Sequence, residues 1–561
     1  SVYCYLPTPG DSPETATLIL GGARSVMDVL LVGGQMLAYA LGGLLASFIV
    51  CYIVANVATA FSGRLRKLTF DKTLSFSLEE IGRFSTASLI TRTTNDINQI
   101  QMLIMLGLRA IIRAPIMAVM AIAKIAGTQW QWTAAMLVAS VGIVARLVIV
   151  LVFAVPRFKI IQKQTDDLNR ITREGISGIR VVRAYNAEEY QEEKFRKTNE
   201  ALTSNNLFVN RVMALMQPGM SMIMAGLSLA IYWIGAIVIN ATGIMERLPL
   251  FSDMVVFSSY AMQIVLAFIL LVVVFVLFPR ASVSAKRINE VLDTDPSIRD
   301  GVTKKATQDK KGEVEFRNVS FRYPGNEDVL RNISFTAKQG ETVAIIGATG
   351  SGKSSLVNLI PRFYDVNDGM VLVDGVDVRE YPVSALREKL GYVSQKAFLF
   401  SGTVSENVAY GEDGHGAKSE EDIEYAVEVA QATDFVERHE FTYSAPVAQG
   451  GTNFSGGQKQ RLSIARAIAK KPEIYIFDDS FSALDYATER NLRNALRKEA
   501  ANSTCIIVAQ RIGSIQDADK IIVLEDGGII GIGKHTELME SCDVYREIAL
   551  SQLSKEEMNV G

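Results

Sequence analysis

The chain has 561 residues, 57 of them Lys or Arg and 60 Asp or Glu, for a net charge of −3 and a pI near 5.9. A nucleic-acid binder would carry a basic excess, so no nucleic-acid partner is expected. Cys4, Cys51, Cys505 and Cys542 are scattered without metal or disulfide spacing, which argues against a zinc or disulfide scaffold.

A mean hydropathy of +0.19 with 21% charged residues points to two solvents. Long apolar runs dominate before about residue 280 and a mixed, charged pattern follows. The chain opens on Ser1, as a fragment, processed form or trimmed start would. Its first stretch carries Pro7, Pro9 and Pro13 and lacks a basic segment ahead of an apolar core, so it is not a signal peptide.

Five apolar segments are long enough to span a bilayer, at 33–60, 102–127, 132–154, 208–241 and 252–283. Trp130 and Trp132, in the short loop between the second and third, suit a membrane interface. The connections after the first and third segments are long and basic, with Arg64, Arg66, Lys67, Lys159, Lys163, Arg170 and Arg173 among others. The positive-inside rule places them in the cytoplasm, with everything after about 284. Their polar, helix-prone sequence predicts that the spans continue as helices beyond the membrane. Arg109, Arg113 and Lys124 sit near span ends and read as interfacial or snorkelling. Arg146 lies roughly 21 Å along a helix from Trp132, so it is expected to face a polar cavity or a partner chain.

Residues 284–312 read as a helix end and a solvated connector. From Glu313 short strands alternate with helices, as in a soluble α/β domain. Val314–Tyr323 alternates as a strand, and Tyr323 could stack on a purine or simply be half-buried. Val343-Ala-Ile-Ile346 reads as a buried strand. It leads into Gly347-Ala348-Thr349-Gly350-Ser351-Gly352-Lys353-Ser354, followed by the first turns of a helix from Ser355. Strand, glycine turn and helix in that order let backbone N–H groups wrap a phosphate, with Lys353 reaching its outer oxygens and Ser354 a magnesium ion. Asn453-Phe-Ser-Gly-Gly-Gln458 is a second glycine turn opening a helix, and Ile474-Tyr-Ile-Phe-Asp478 a buried strand ending in an acid, where magnesium coordination is expected.

These motifs resemble those of the ABC ATPases. Gly347–Ser354 and Ile474–Asp478 look like the Walker A and B pair, Phe454–Gln458 like the signature, Gln395 like the Q-loop glutamine, Ser482–Asp485 like the D-loop, and Tyr323 like the stacking aromatic. With its apolar N-terminal part, the chain resembles one half of a type IV ABC exporter: an all-α transmembrane helical domain (1–283), a linker (284–312) and an α/β P-loop ATPase domain (313–561). The resemblance implies ATP and Mg2+ as cofactors. Tyr323, Gly347, Thr349, Gly350, Ser351, Gly352, Lys353, Ser354, Ser355 and Gln395 would bind nucleotide, and Ser354, Gln395 and Asp478 the Mg2+. Ser455, Gly456, Gly457 and Gln458, with Asp485 of the D-loop, would act on ATP bound by a partner.

Three positions depart from the family. It has six spans per half and five are seen here, so the first is read as missing. Asp479 stands where competent members carry glutamate, and Gln510 where they carry the switch histidine. An aspartate is one methylene shorter, so its carboxylate falls short of the attacking water. Glutamine cannot carry a histidine's positive charge. The chain therefore resembles the degenerate-site subunit of heterodimeric bacterial multidrug exporters. The expectation is an integral protein of the bacterial plasma membrane with a cytoplasmic ATPase domain. It would pair with a related half and move amphipathic, drug-like or lipid-like compounds outward by alternating access. Ser77–Leu89 and a turn within 186–206 would couple the two domains. The alternative is a membrane regulator or ATP-gated channel that binds nucleotide without pumping.

Overall fold

The computed structural model describes residues 26–125, 129–302, 310–411 and 418–552. The N-terminal prolines, loop residues 126–128 and most of the charged run from Lys304 to Lys311 lie outside them. The chain divides into two compact units, one built from the residues up to Phe70 with Ile90–Val291, the other from Asp71–Leu89 with Leu292 onward.

The first unit is helical. Its main helices are Val26–Leu74, Leu108–Ile125, Trp130–Ser177, Glu188–Ala214, Met216–Ala241 and Ile244–Leu292. A 49-residue helix such as Val26–Leu74 is about 70 Å long, more than twice the ~30 Å hydrocarbon core. The spans therefore do continue as helices beyond the membrane. Among the described residues four stretches are long and apolar enough to cross it: Leu30–Leu74, Thr86–Lys124, Glu188–Ala241 and Glu246–Ala267. The third predicted segment, 132–154, lies in Trp130–Ser177, which is not among the four; some of its side chains are not described.

The tryptophan pair separates. Trp130 is exposed, as an interfacial residue would be, but Trp132 is fully buried, its ring 5.7 Å from that of Phe257 in a cluster with Met136, Ile143, Ile231 and Ile264. Two residues farther along the helix, the side chain points into the bundle instead of outward. The turn expected within 186–206 falls at its leading edge, where Asn186 has φ 48° between the short helix Ile179–Ala184 and the helix starting at Glu188.

In the second unit the strands are β1 Val314–Phe321, β2 Leu330–Ala337, β3 Thr342–Gly347, β4 Asp368–Val373, β5 Val376–Asp377, β6 Leu390–Val393, β7 Gly402–Thr403, β8 Pro446–Val447, β9 Ile474–Asp478, β10 Thr504–Val508, β11 Lys520–Glu525 and β12 Gly528–Gly533. An antiparallel sheet runs β2-β1-β4-β5 and a six-stranded sheet β12-β11-β3-β10-β9-β6, while β7 pairs with β8. The larger sheet is parallel except at β12. Its central strands are apolar on both faces, as strands covered on both sides must be: Ile345, Ile346, Ile476, Phe477, Ile506 and Val508 are all buried.

Register aligns the carboxyl ends. Val508 pairs with Ile345 on one side and Asp478 on the other, and Val393 with Phe477. The loops leaving β3, β6, β9 and β10 thus emerge together at one edge, where α/β sheets bind ligands.

Candidate functional site

The loop after β3 wraps tightly. Gly350 and Gly352 have φ 89° and 96°, a left-handed region that favours glycine. A Cβ at Gly352 would lie 2.8 Å from Leu330 Cδ2, whereas one at Gly350 would meet nothing within 4 Å. One glycine is thus required by packing and the other faces open space. The Lys353 ammonium donates to the carbonyls of Gly347 (2.8 Å) and Ala348 (2.7 Å), which hold it across the loop. Burial draws its pKa down, with Asp479 and Asp478 pulling the other way. Two acceptors leave one N–H of the ammonium for an anion.

Ser351 Oγ is buried and has no hydrogen-bond partner within the protein. Such an atom is costly unless a ligand or water satisfies it, and it sits in the loop where phosphate oxygens are expected. Ser354 Oγ donates to Asp478 Oδ1 at 2.8 Å, placing a hydroxyl and a carboxylate side by side. Burial pushes the Asp478 pKa up, Asp479 adds to that, and Ser354 and Lys353 oppose it. Among the described residues no cluster of three or more His, Cys, Asp or Glu could hold a metal alone. Two protein oxygens completed by phosphate oxygens is the arrangement magnesium uses, so these residues fit Mg2+ with nucleotide.

Asp479 follows β9 with φ 47°, a conformation that aspartate tolerates better than most residues. Its Oδ2 accepts from Gln510 Nε2 at 2.7 Å and from Gln395 Nε2 at 3.2 Å. The two unusual residues, Asp479 and Gln510, therefore bond to each other, and the Q-loop residue joins them.

Tyr323 is half-buried. Its hydroxyl lies 2.9 Å from Ser355 Oγ, and its ring meets Phe321 and Tyr364 edge to face at 4.9 and 5.1 Å. Ser455 caps the helix Gly456–Ala469: its Oγ accepts from Gln458 N, and Gln458 Oε1 accepts from Ser455 N at 2.9 Å. A Cβ at Gly456 would meet nothing within 4 Å, whereas one at Gly457 would lie 3.0 Å from Ala483 O. Asp485 caps the helix Tyr486–Glu499, and hydrogen bonds from Thr488 hold its carboxyl below the usual range. The loop, Asp478, Asp479, Gln395 and Gln510 thus come together. Among the described residues no hydrogen bond or ion pair links Ser455–Gln458 to the phosphate loop.

Three supports escaped sequence reasoning. Gln552 Oε1 accepts from Ile512 N and its Nε2 donates to Gln510 O, both at 2.9 Å. Gln460 Nε2 donates to Ser394 O at 3.2 Å, tying the Gly456–Ala469 helix to the Gln395 loop. Glu80, 5% exposed, accepts from Ser77 N at 2.8 Å and Ser297 N at 3.0 Å. Only the last had a signal, the capping-box spacing Ser77-x-x-Glu80.

Comparison with known proteins agrees along most of the chain. A family model described as "ABC transporter" matches residues 330–482, and one described as "ABC transporter transmembrane region" matches 9–268. An uncharacterized ABC transporter ATP-binding protein of Mycobacterium tuberculosis (strain ATCC 25618 / H37Rv) is 39% identical over 96% of this chain and 90% of its own length. An ATP-dependent lipid A-core flippase of Aromatoleum aromaticum is 31% identical over 95% of this chain and 85% of its own. Among solved structures, a bacterial Atm1-family ABC exporter with ATP bound superposes with a TM-score of 0.75, covering 97% of this chain and 94% of that one at 24% identity, a likeness of fold.

Proposed function

The chain belongs to the ABC transporter family, an integral membrane protein that fuses a helical transmembrane region to a cytoplasmic ATP-binding domain, and on that footing we propose that it is the degenerate half of a heterodimeric exporter. Residues 1–283 would form the transmembrane domain, 284–312 the linker and 313–561 the nucleotide-binding domain. Amphipathic compounds, drug-like or lipid-like, would be moved across a bacterial plasma membrane by alternating access. The lipid A-core flippases among its relatives support a lipid-like cargo.

The observation that carries the reading is the hydrogen bonding of Asp479. A general base must reach the proton it removes, yet this carboxylate is short and already accepts from Gln510 and Gln395. Lys353, Ser351 and the loop N–H groups would hold the phosphates, and Ser354, Asp478 and Gln395 the Mg2+, which neutralises phosphate charge. The site would bind ATP well and hydrolyse it slowly. Ser455, Gly456 and Gly457 would meet ATP held by the related half, completing that half's site with a helix N-terminus.

The test is steady-state ATPase of the complex purified from its native membrane, with each change made separately. Ser455→Arg should lower turnover about 100- to 1000-fold by removing a transition-state donor. Asp479→Ala should lower it less than about three-fold, and Asp479→Glu with Gln510→His should raise hydrolysis at this chain's own site. If Asp479→Ala abolished turnover and Ser455→Arg spared it, this half would be the catalytic one and the proposal wrong.

A further inference from the structure

A cavity of about 280 Å³ opens beside Tyr323, just below the range of whole-ligand pockets, roughly 300 to 1,000 Å³, as suits a site for one part of a ligand. Its walls come from stretches far apart in sequence, Tyr323, Tyr364 and Asn367 together with Glu79, Ser297 and Ile298. The Tyr323 hydroxyl reaches Ser355 Oγ at 2.9 Å, and Ser355 lies on the helix that begins at Lys353. The cavity is therefore within reach of a base whose phosphates lie at Lys353.

The Glu79 wall is fixed in place. Glu79 and Glu80 are in the first turn of the helix Leu78–Phe84, and Glu80 is the buried member. Its carboxylate accepts from the backbone N–H groups of both Ser77 and Ser297, and the Ser77 and Ser297 hydroxyls lie 2.8 Å apart. Burial works against the Glu80 charge, but hydrogen bonds from Ser77 and Ser297 outweigh it and hold the carboxyl below its usual range. The turn carrying Glu79 is thus clamped to residue 297 of the connector. Glu79 itself remains exposed on the cavity wall.

A carboxylate accepts hydrogen bonds and cannot donate them. Adenine presents an amino donor at the position where guanine presents a carbonyl acceptor. We infer that Glu79 selects adenine over guanine at this chain's own nucleotide site, so that the segment Ser77–Ser85 forms part of the base pocket. The inference rests on the reading of Gly347–Ser354 as the ATP site. Glu80 is a positioning residue, acting through the turn that holds Glu79. Selection comes as much from repelling the guanine oxygen as from binding the adenine amine.

The experiment is photolabelling of the purified complex with 8-azido-ATP, chased by ATP or by GTP, with this chain's band resolved from its partner's. In the unaltered chain ATP should compete about ten-fold better than GTP, the size of one hydrogen bond to a charged group. Glu79→Gln keeps an acceptor and adds a donor, so GTP should improve until the ratio falls below about two-fold. Glu80→Gln should lower the ratio in the same direction by a smaller factor. A ratio near one in the unaltered chain, or one that Glu79→Gln does not move, would overturn the inference. Labelling of Lys353→Ala with unaltered probe affinity would instead overturn the ATP-site reading beneath it.

Discussion

The helical unit and the ATPase unit bury their apolar residues in opposite ways. Leu30, Tyr39, Phe48 and Trp233 are exposed on the helices, whereas Ile345, Phe477, Ile506 and Ile522 are buried in the sheet. Helices satisfy their backbone internally, so lipid can replace a core around them; a sheet with both faces covered cannot leave them to water. The charged groups differ too. In the helical unit Asp96 is buried and takes Ser284 Oγ at 2.9 Å and the Arg287 guanidinium at 3.2 Å, and the Arg146 guanidinium donates to Leu215 O. In the ATPase unit Ser351 Oγ has no partner and Lys353 has one N–H to spare. Buried polar atoms without a hydrogen-bond partner occur in both units, Trp132 Nε1 and Arg146 Nε in one and Ser351 Oγ in the other. What marks the ATPase unit is that Ser351 and Lys353 share one glycine turn at a helix N-terminus, where an anion would be met. A charge sitting in an unusual place is not enough.

The contrast can be broken at its strongest point with Lys353→Ala, which should weaken ATP binding to this chain about 10- to 100-fold by removing a charged phosphate contact. Direct titration without turnover measures it. Asp96→Ala tests the other unit: two donors lose a buried acceptor, so unfolding stability should fall by about 1–3 kcal/mol while ATP affinity holds. Thermal denaturation in detergent, read beside nucleotide titration, separates the two effects. Ser351→Ala sharpens the comparison, because its hydroxyl supports nothing in the protein. ATP should bind about two- to ten-fold more weakly with the melting temperature unchanged, and a drop in melting temperature would count against a ligand-facing role.

Arg146→Leu should have the smallest effect, about a two- to three-fold change in how far substrate stimulates ATPase, with basal turnover steady. Sequence position alone sent Arg146 toward a cavity or a partner chain. Its guanidinium reaches the carbonyl at the break between Glu188–Ala214 and Met216–Ala241, against Gly219, where a Cβ would overlap it.

The central strands and the glycine turns were legible because their signals are local. Ile474–Asp478 has the same bounds in sequence and structure, and the Val343–Ile346 run gains one residue at each end. What local pattern does not carry is direction and distance. Trp130 and Trp132 look equivalent as interfacial residues, but two positions on a helix turn one of them into the bundle. The pairing of Glu80 with Ser297 and of Gln552 with Gln510 spans 217 and 42 residues, and each uses polar side chains of ordinary composition. Asp479 and Gln510 were singled out separately as departures, while their bond to each other depends on β9 and β10 lying side by side.

The grip of Gln552 on the loop after β10 has a consequence for exchange kinetics. The Ile512 amide is protected by a side chain on the helix Asp543–Gln552, not by a strand neighbour. Its hydrogen will exchange with solvent as often as Gln552 lets go of it, and strand amides such as that of Ile506 will wait for a larger opening. Hydrogen exchange at Ile512 therefore works as a clock for the hold of Gln552, read out two residues from Gln510. Gln552→Ala should speed it while leaving the β10 amides at their former rate.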